Sequence, residues 1–321
     1  MNRDMLDYIV RRLAQIPVVL FLVSLIIFFI IHLPEGGPAR TLLGVGAPES
    51  MIEAFREQYH LDKPLHEQYL IWIKGVLSGS LGTSIYTGQP VGEMILNRLP
   101  VTFALATFSI TIAISIALPA GYISAVEHYS WKDHLATTLA FLGLSIPNFF
   151  LAILLMKIFG VELGLLPISG GTTLFQDPFH TFKVFVLPAI ALGTALAAQT
   201  TRMLRSSMLE IFSEDYVMVA RARGLPATFV NRYVVFKNAL IPVITIVALQ
   251  FGFLLGGTVI IEHVFALPGL GQLMLNSVNN RDYPVMQVLV LFFAVSFILI
   301  NLIADIMYTY VDPRIRYGGG D

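Results

Sequence analysis

Six long apolar runs constrain this sequence more than any other feature. They cover residues 13–33, 101–126, 135–159, 184–204, 241–261 and 287–311. A helix needs roughly 20 apolar residues to cross a bilayer core about 30 Å thick, and each run meets that requirement. In lipid every backbone polar group must be satisfied within the protein, which a helix achieves by itself. The sequence therefore predicts an all-α membrane protein with six transmembrane helices.

The composition supports this class and excludes several others. Hydrophobic residues make up 56% of the 321 residues and charged residues 13%, whereas soluble domains carry about 25% charged residues. A formal net charge of -1 offers no basic surplus for binding nucleic acid. The absence of cysteine excludes disulfides, thiol nucleophiles and thiolate metal sites. The first run is too long for the core of a signal peptide, so we interpret it as a retained span.

Charges beside the apolar runs predict that both ends of the chain lie in the cytoplasm. Positive charge favours the inner side of a membrane, and basic residues directly precede the first run and follow the last. Residues 1–12 and 312–321 are therefore predicted to be cytoplasmic termini. Residues 34–98, which are slightly more acidic than basic, predict a helical extracytoplasmic domain, and residues 99–311 a transmembrane core.

A polar stretch over residues 205–240 separates the fourth and fifth runs. Ser213 is a favourable N-cap, Asp215 places negative charge in the first helical turn, and Arg221 places positive charge in the last. Gly224 then ends the helix. A helix of about ten residues is too short to be stable without a partner surface. The pattern therefore predicts a cytoplasmic docking helix.

The same stretch resembles a loop of a known family. Asp215 and Tyr216, with residues 220–225 and 238–242, resemble the "EAA" loop of ABC importer permeases in the dipeptide/oligopeptide/nickel branch. Met218 stands where the general loop carries glutamate. The resemblance implies a coupling helix that sits in a cleft of an ATPase subunit, and the alternative is an ordinary amphipathic helix beside the membrane. The residues that it assigns to ATPase contact are Asp215, Tyr216, Ala220, Arg221, Ala222, Arg223 and Gly224.

Three further segments, all on the predicted outer side, resemble the same permease branch. They are residues 61–82, 266–271 and 281–285. For the first segment the resemblance implies a lid or a landing surface for a solute-binding protein, and a structural plug over the bundle is equally open. For the other two it implies part of an outer gate, with turns that serve only geometry as the alternative. The resemblance as a whole implies the type I ABC importer fold.

Candidate residues for a translocation path or gate come from a break in the third run, small residues in the fifth and the outer motifs. They are Asn148, Gly252, Gly256, Pro268, Gly269, Asp282 and Tyr283. Asn148 follows Pro147 and alternatively satisfies a carbonyl freed by the proline. The glycines alternatively let helices pack closely in lipid, which is the commoner role of small residues there.

The sequence contains no ATP-hydrolysing site and no evident catalytic site. It lacks the Gly-rich loop ending in Gly-Lys-Ser/Thr that cradles phosphates, and its seven histidines are scattered. We therefore expect a transport subunit without an ATPase site, cofactor or metal. The resemblance implies a second homologous permease, two ABC ATPase subunits that hold ATP and Mg²⁺, an extracytoplasmic solute-binding protein and surrounding lipid, all at a prokaryotic cell membrane.

Two alternatives concern cargo and energy. The branch implies di- or oligopeptide cargo, although relatives also carry nickel, glutathione or oligosaccharides. A different class, an ion-coupled secondary transporter, requires ionisable groups at the middle of the membrane and usually inverted repeats. The spans hold few such groups, chiefly Lys157 and Asp305, and no internal repeat is evident.

Overall fold

The structure, a computed structural model, describes residues 3–32, 39–40, 43, 46–59, 61–170 and 177–311, with side chains between residues 13 and 306 of these ranges. The C-terminus predicted over residues 312–321 lies outside the described residues, as do the side chains of the N-terminus predicted over residues 1–12. Regular secondary structure in the described ranges is helical, which confirms the predicted fold class.

The helices are numbered in chain order. They are α1 (Arg3–His32), α2 (Glu49–Gln58), α3 (Leu65–Leu77), α4 (Val91–Val126), α5 (Trp131–Ser145), α6 (Asn148–Leu155), α7 (Pro178–Phe212), α8 (Asp215–Ala222), α9 (Ala227–Phe229), α10 (Lys237–Gly257), α11 (Val259–Val264), α12 (Leu270–Asn279) and α13 (Tyr283–Val311). A π-helical segment, Met156–Glu162, follows α6, and a second, Val230–Phe236, joins α9 to α10.

The third apolar run, over residues 135–159, is divided between two helices at the break that the sequence predicts beside Pro147. The helix α5 and the segment Asn148–Glu162, which comprises α6 and the π-helical residues after it, meet at an angle of 98°. Pro147 lacks an N–H group and forces the residue before it out of the helical region, so Ile146 is extended, with φ -86° and ψ 120°. The break lies where Pro147 predicted it, but its angle exceeds a simple kink. Within the described residues, five other helical segments are long and apolar enough to cross a membrane.

Other helix ends differ from the apolar runs because polar residues continue several helices beyond the apolar length. The helix α4 begins at Val91, so the boundary predicted at residues 98–99 falls inside it. The helix α7 begins at Pro178, where the side chain of Asp177 accepts a hydrogen bond from the His180 N–H. The segment between the fifth and sixth apolar runs contains α12 and part of α11, so it is mostly helical.

The core forms where α4 and α7 lie side by side. Phe108 stacks on Phe185 with ring centroids 5.7 Å apart. Gly193 allows a close approach here, because a Cβ atom at this position would lie 2.8 Å from the Ser109 carbonyl oxygen. Such contacts are how helices associate in lipid, where burial of apolar surface alone gives little driving force.

The inserted helix α3 packs on α1. The Tyr69 hydroxyl lies 2.8 Å from Ser24 Oγ, and Gln68 Oε1 lies 3.0 Å from His32 Nε2. Trp72 lies against Phe28, with ring centroids 6.1 Å apart. The apolar face of the insertion is therefore tied to one end of the first span.

Candidate functional site

The polar helix α8 directly follows the long helix α7. The prediction that Ser213 is the N-cap of this helix is wrong. Ser213 still has helical dihedrals, and its hydroxyl donates to the Glu210 carbonyl at 2.6 Å. Glu214 is the N-cap instead, with extended dihedrals and without a side-chain capping bond. Asp215 in the first turn and Arg221 in the last still have the signs that favour the helix dipole.

One face of α8 is anchored in the protein. Val217 is fully buried, and Tyr216 and Ala220 are partly buried beside it. They pack on a cluster of apolar side chains from α4, α7 and the segment that leads into α10. The buried members of this cluster are Ala125, Leu204, Met208, Val217, Val230, Val235, Ala239 and Val243. The anchored face of α8 is therefore in direct contact with three other elements.

The opposite face of α8 is open. Met218 and Val219 are 66% and 50% exposed, and Leu225 and Phe229 extend the same apolar surface beyond the helix. Gly224 ends the helix with φ +78°, in the left-handed region that favours glycine. Exposed apolar patches occur at surfaces that contact other proteins or membranes.

The seven residues predicted to contact an ATPase fall into two sets. Tyr216 and Ala220 face inward and anchor the helix. The exposed ones are Asp215, Arg221, Ala222, Arg223 and Gly224. Their contact with an ATPase remains a prediction.

A buried ion pair braces this end of the bundle, and the sequence analysis did not identify it. Arg205 on α7 donates from Nε to Asp133 Oδ1 at 2.8 Å and from Nη2 to Oδ2 at 2.9 Å. Ser124 on α4 donates to the same carboxylate, and the Tyr129 N–H donates to Oδ2 at 3.0 Å. Asp133 thereby connects three helices. The sequence gives one indication of this arrangement. Ser130 is a favourable N-cap, and it caps α5 by accepting a bond from the Asp133 N–H, which places Asp133 in the first turn of the helix.

A second carboxylate, Glu262, is fully buried at the other end of the bundle and was also missed. It lies on α11, and its Oε1 accepts from Thr102 Oγ1 on α4 at 2.7 Å and from Thr258 Oγ1 at 2.8 Å. Its Oε2 accepts from the backbone N–H of Gln272 on α12 at 2.9 Å. Thr102 in turn accepts from the Leu270 N–H at 2.8 Å. Nothing in the helical periodicity distinguishes this glutamate.

The predicted gate residues from the two outer motifs lie around these contacts. Gly269 is buried against the Glu262 carboxylate, whereas Pro268 is exposed. Asp282 is buried, accepts a bond from Ser84 Oγ and accepts another from the Ile85 N–H at 3.1 Å. Tyr283 is partly exposed beside a cavity of about 420 Å³, whose aromatic lining residues are Phe28, Phe55, Tyr59, Trp72 and Tyr283.

The remaining path candidates lie apart from this group. Gly252 is buried on α10, where a Cβ atom would lie 3.3 Å from Ile300 and Phe297 on α13, as the packing interpretation predicts. Gly256 is exposed, and Asn148 is the partly exposed first residue of α6. Their place on a translocation path remains a prediction. Among the residues whose side chains are described, no group of three or more histidine or carboxylate side chains is arranged to hold a metal ion.

Comparison with known proteins identifies the family. Residues 117–317 match the family described as "Binding-protein-dependent transport system inner membrane component", and residues 5–106 match "Binding-prot-dependent transport system membrane comp, N-term". "Glutathione transport system permease protein GsiC" of Escherichia coli (strain K12) is 41% identical over 313 residues, which cover 98% of this chain and all of the relative. The protein of the same name in Salmonella paratyphi A (strain ATCC 9150 / SARB42) is 42% identical over the same share.

Solved structures support the fold. A chain of the MetNI methionine ABC transporter in an inward-facing conformation superposes with a TM-score of 0.56, covering 70% of this chain and 98% of that one at 19% identity. A chain from an amino acid ABC transporter gives a TM-score of 0.52 at 15% identity, covering 70% of this chain and 94% of that one. The chain therefore belongs to the family of binding-protein-dependent inner-membrane transport components, in its dipeptide/oligopeptide/nickel branch, and is a multi-pass permease subunit of an ABC importer without an ATPase site of its own.

Proposed function

We propose that this permease carries di- or oligopeptides into the cell by alternating access, driven by ATPase subunits that grip α8. The observation that carries the proposal is the two-sided character of α8. Val217 is fully buried and anchors the helix in the bundle, whereas Met218 and Val219 expose an apolar surface beside it. A helix anchored on one face and uncovered on the other suits a contact that must both bind a partner and transmit its movement.

The packing around α8 supports a mechanical role. Val217 lies in one apolar cluster with Leu204 of α7 and Val235 before α10, so a push on α8 tilts both spans. Shifting a population from 1:99 to 99:1 requires a differential interaction of about 5.5 kcal/mol. Closure of ATPases on nucleotide, transmitted through this docked helix, is the proposed source of that free energy.

The proposed assembly has a second homologous permease, two ABC ATPase subunits and an extracytoplasmic solute-binding protein. Family membership implies ATPase and binding-protein partners. In this arrangement α8 and both termini face the cytoplasm, the insertion that contains α3 faces outward, and lipid surrounds the spans. ATP and Mg²⁺ are held by the ATPases, and this chain binds no cofactor and no nucleic acid.

The proposed cargo follows from the branch and its relatives. The matched relatives are named as glutathione transport permeases, and glutathione is itself a small peptide. Glutathione is therefore the first alternative within the proposed class, followed by nickel and oligosaccharides. The family assignment favours ATP-driven transport over the ion-coupled class considered from sequence.

A substitution at the end of α8 tests the coupling role. In a reconstituted importer, we expect Gly224→Trp to insert normally but to lose cargo-stimulated ATP hydrolysis, because the side chain obstructs the ATPase contact. A left-handed residue other than glycine costs about 1–2 kcal/mol wherever it lies. Gly164→Trp is therefore the matched control, since Gly164 also has positive φ and open space around it. Normal stimulation in Gly224→Trp, or equal loss in both variants, would contradict the proposal.

A further inference from the structure

The segment of residues 259–279, here called the α11–α12 hairpin, is bracketed by two buried carboxylates. Glu262 lies near its start, and Asp282 lies just after its end. Glu262 contacts Thr102 on α4, and Asp282 contacts Ser84 and Ile85 in the segment that leads into α4. Both carboxylates therefore connect the hairpin to the same part of the chain, which is distant from it in sequence.

Thr102 joins the hairpin to α4 through two bonds at once. Its hydroxyl donates to Glu262 Oε1 at 2.7 Å and accepts from the Leu270 N–H at 2.8 Å. Thr102 and Glu262 are both fully buried. A buried carboxylate accepts hydrogen bonds but donates none, so its oxygens suit the hydroxyl and N–H groups that converge here.

The glycines of the hairpin leave room for this carboxylate. A Cβ atom at Gly269 would lie 2.4 Å from Glu262 Oε2, and one at Gly271 would lie 3.0 Å from the same atom. Leu267, two residues before Gly269, and Leu270, between the two glycines, are fully buried. The motif over residues 266–271 is therefore shaped around Glu262, which explains its alternation of small and apolar residues.

We propose that Glu262 is a positioning residue which, through Thr102, fixes the α11–α12 hairpin to α4 so that the two move as one body during transport. Apolar contacts strengthen the connection, because Met94 and Ile95 of α4 pack in one cluster with Leu270 and Leu273 of α12. The proposal rests on the chain being an importer permease and not on the identity of its cargo.

A distance measurement tests whether the two elements move together. The chain has no cysteine, so Leu96→Cys on α4 and Val278→Cys on α12, both exposed in the parent, provide a defined pair of spin-label sites. In the complete importer, we expect the same label-to-label distance without nucleotide and after trapping with ATP and vanadate. A distance that changes between these states would overturn the proposal.

Substitutions in the same labelled complex test the bonds themselves. We expect both Glu262→Gln and Thr102→Val to broaden the distance distribution. In Glu262→Gln, the amide N–H group faces a donor that the carboxylate accepted from, such as the Gln272 N–H or the Thr102 hydroxyl. In Thr102→Val, the hydroxyl that makes both bonds is absent. Thr102→Ser retains both bonds and should restore the narrow distribution. Ser277→Ala is the matched control, since within the described residues the buried Ser277 hydroxyl donates to the Leu273 carbonyl of its own helix and to no other helix.

A functional measurement separates positioning from simple stability. We expect Thr102→Val to reduce ATP hydrolysis stimulated by the binding protein about tenfold, while assembly and unstimulated hydrolysis stay near the parent. Glutathione is the probe ligand, and parent stimulation by glutathione is established first. Equal stimulation in Thr102→Val and Thr102→Ser, or loss of assembly in both, would overturn the proposal. Neither outcome involves α8, so the proposed coupling role is tested separately.

Discussion

At the residue scale, the polar groups that matter most here are buried carboxylates with several partners. Asp133 and Glu262 each connect three segments, one at each end of the bundle. Sequence patterns did not identify them, because a single acidic residue at a span boundary resembles an ordinary solvated one. Gly224 was identified, because a left-handed C-terminal glycine has a recognisable sequence context. Local backbone chemistry is therefore predictable, whereas partners from distant helices are not.

The ion pair of Asp133 and Arg205 gives a prediction about stability. Their side chains are 3% and 26% exposed. Removing one partner of a fully buried pair costs about 3–5 kcal/mol, and the loss here should be smaller because water still reaches Arg205. We expect Asp133→Asn to lower the thermal unfolding temperature of the purified permease markedly. Glu127→Gln, which breaks the exposed pair with Lys132 nearby, should cost at most about 1 kcal/mol. Similar shifts in the two variants would show that the buried pair does not brace this end.

At the element scale, apolar runs predicted that helices exist, but not where they end. The helix α4 begins at Val91, ten residues before its apolar run, and passes through Pro100 without ending. A proline is tolerated inside a membrane helix where neighbouring groups satisfy the freed carbonyl. The third span bends because Ile146 is extended before Pro147. The helix α12 lies between two apolar runs and was not predicted, because its glycine and its polar residues are typical of turns.

Gly193 is one of the small residues that let α4 and α7 approach closely. A Cβ atom at Gly193 would lie 2.8 Å from the Ser109 carbonyl oxygen and 3.1 Å from Ile112 Cγ2. Overpacking of this kind costs about 1–3 kcal/mol, so we expect Gly193→Ala to lower the thermal unfolding temperature. Gly256→Ala is the control, because its nearest neighbour, Phe293, is 3.8 Å away. The explanation fails if the two alanine variants unfold at the same temperature.

At the scale of the whole molecule, two buried braces hold opposite ends of the helices that form the core. Asp133 and α8 lie at one end of α7, and Glu262 and the α11–α12 hairpin lie beside the start of α4. The long apolar helices α4 and α7 connect these ends directly. The membrane class and the number of runs followed from composition, because lipid imposes a length on every span. The connection between the ends required the structure.

The proposed orientation makes a final prediction that cysteine labelling can test, because the parent chain has no cysteine. Met218 on α8 and Leu77 at the end of α3 are 66% and 82% exposed. We expect an impermeant maleimide added to intact cells to label Leu77→Cys and to leave Met218→Cys unmodified. Inverted vesicles should reverse the pattern, and added ATPase subunits should slow labelling of Met218→Cys, because they cover α8.

Leu105→Cys is the control for reagent access, since Leu105 is fully buried between the core helices and should stay unlabelled from both sides. Labelling of Met218→Cys from outside would place α8 on the wrong side for an ATPase. If Met218→Cys is labelled from the inside at a rate that added ATPase subunits do not change, the predicted topology is correct. In that case α8 is not the surface on which the ATPase subunits dock. The experiment therefore separates the orientation of the bundle from the contact that drives it.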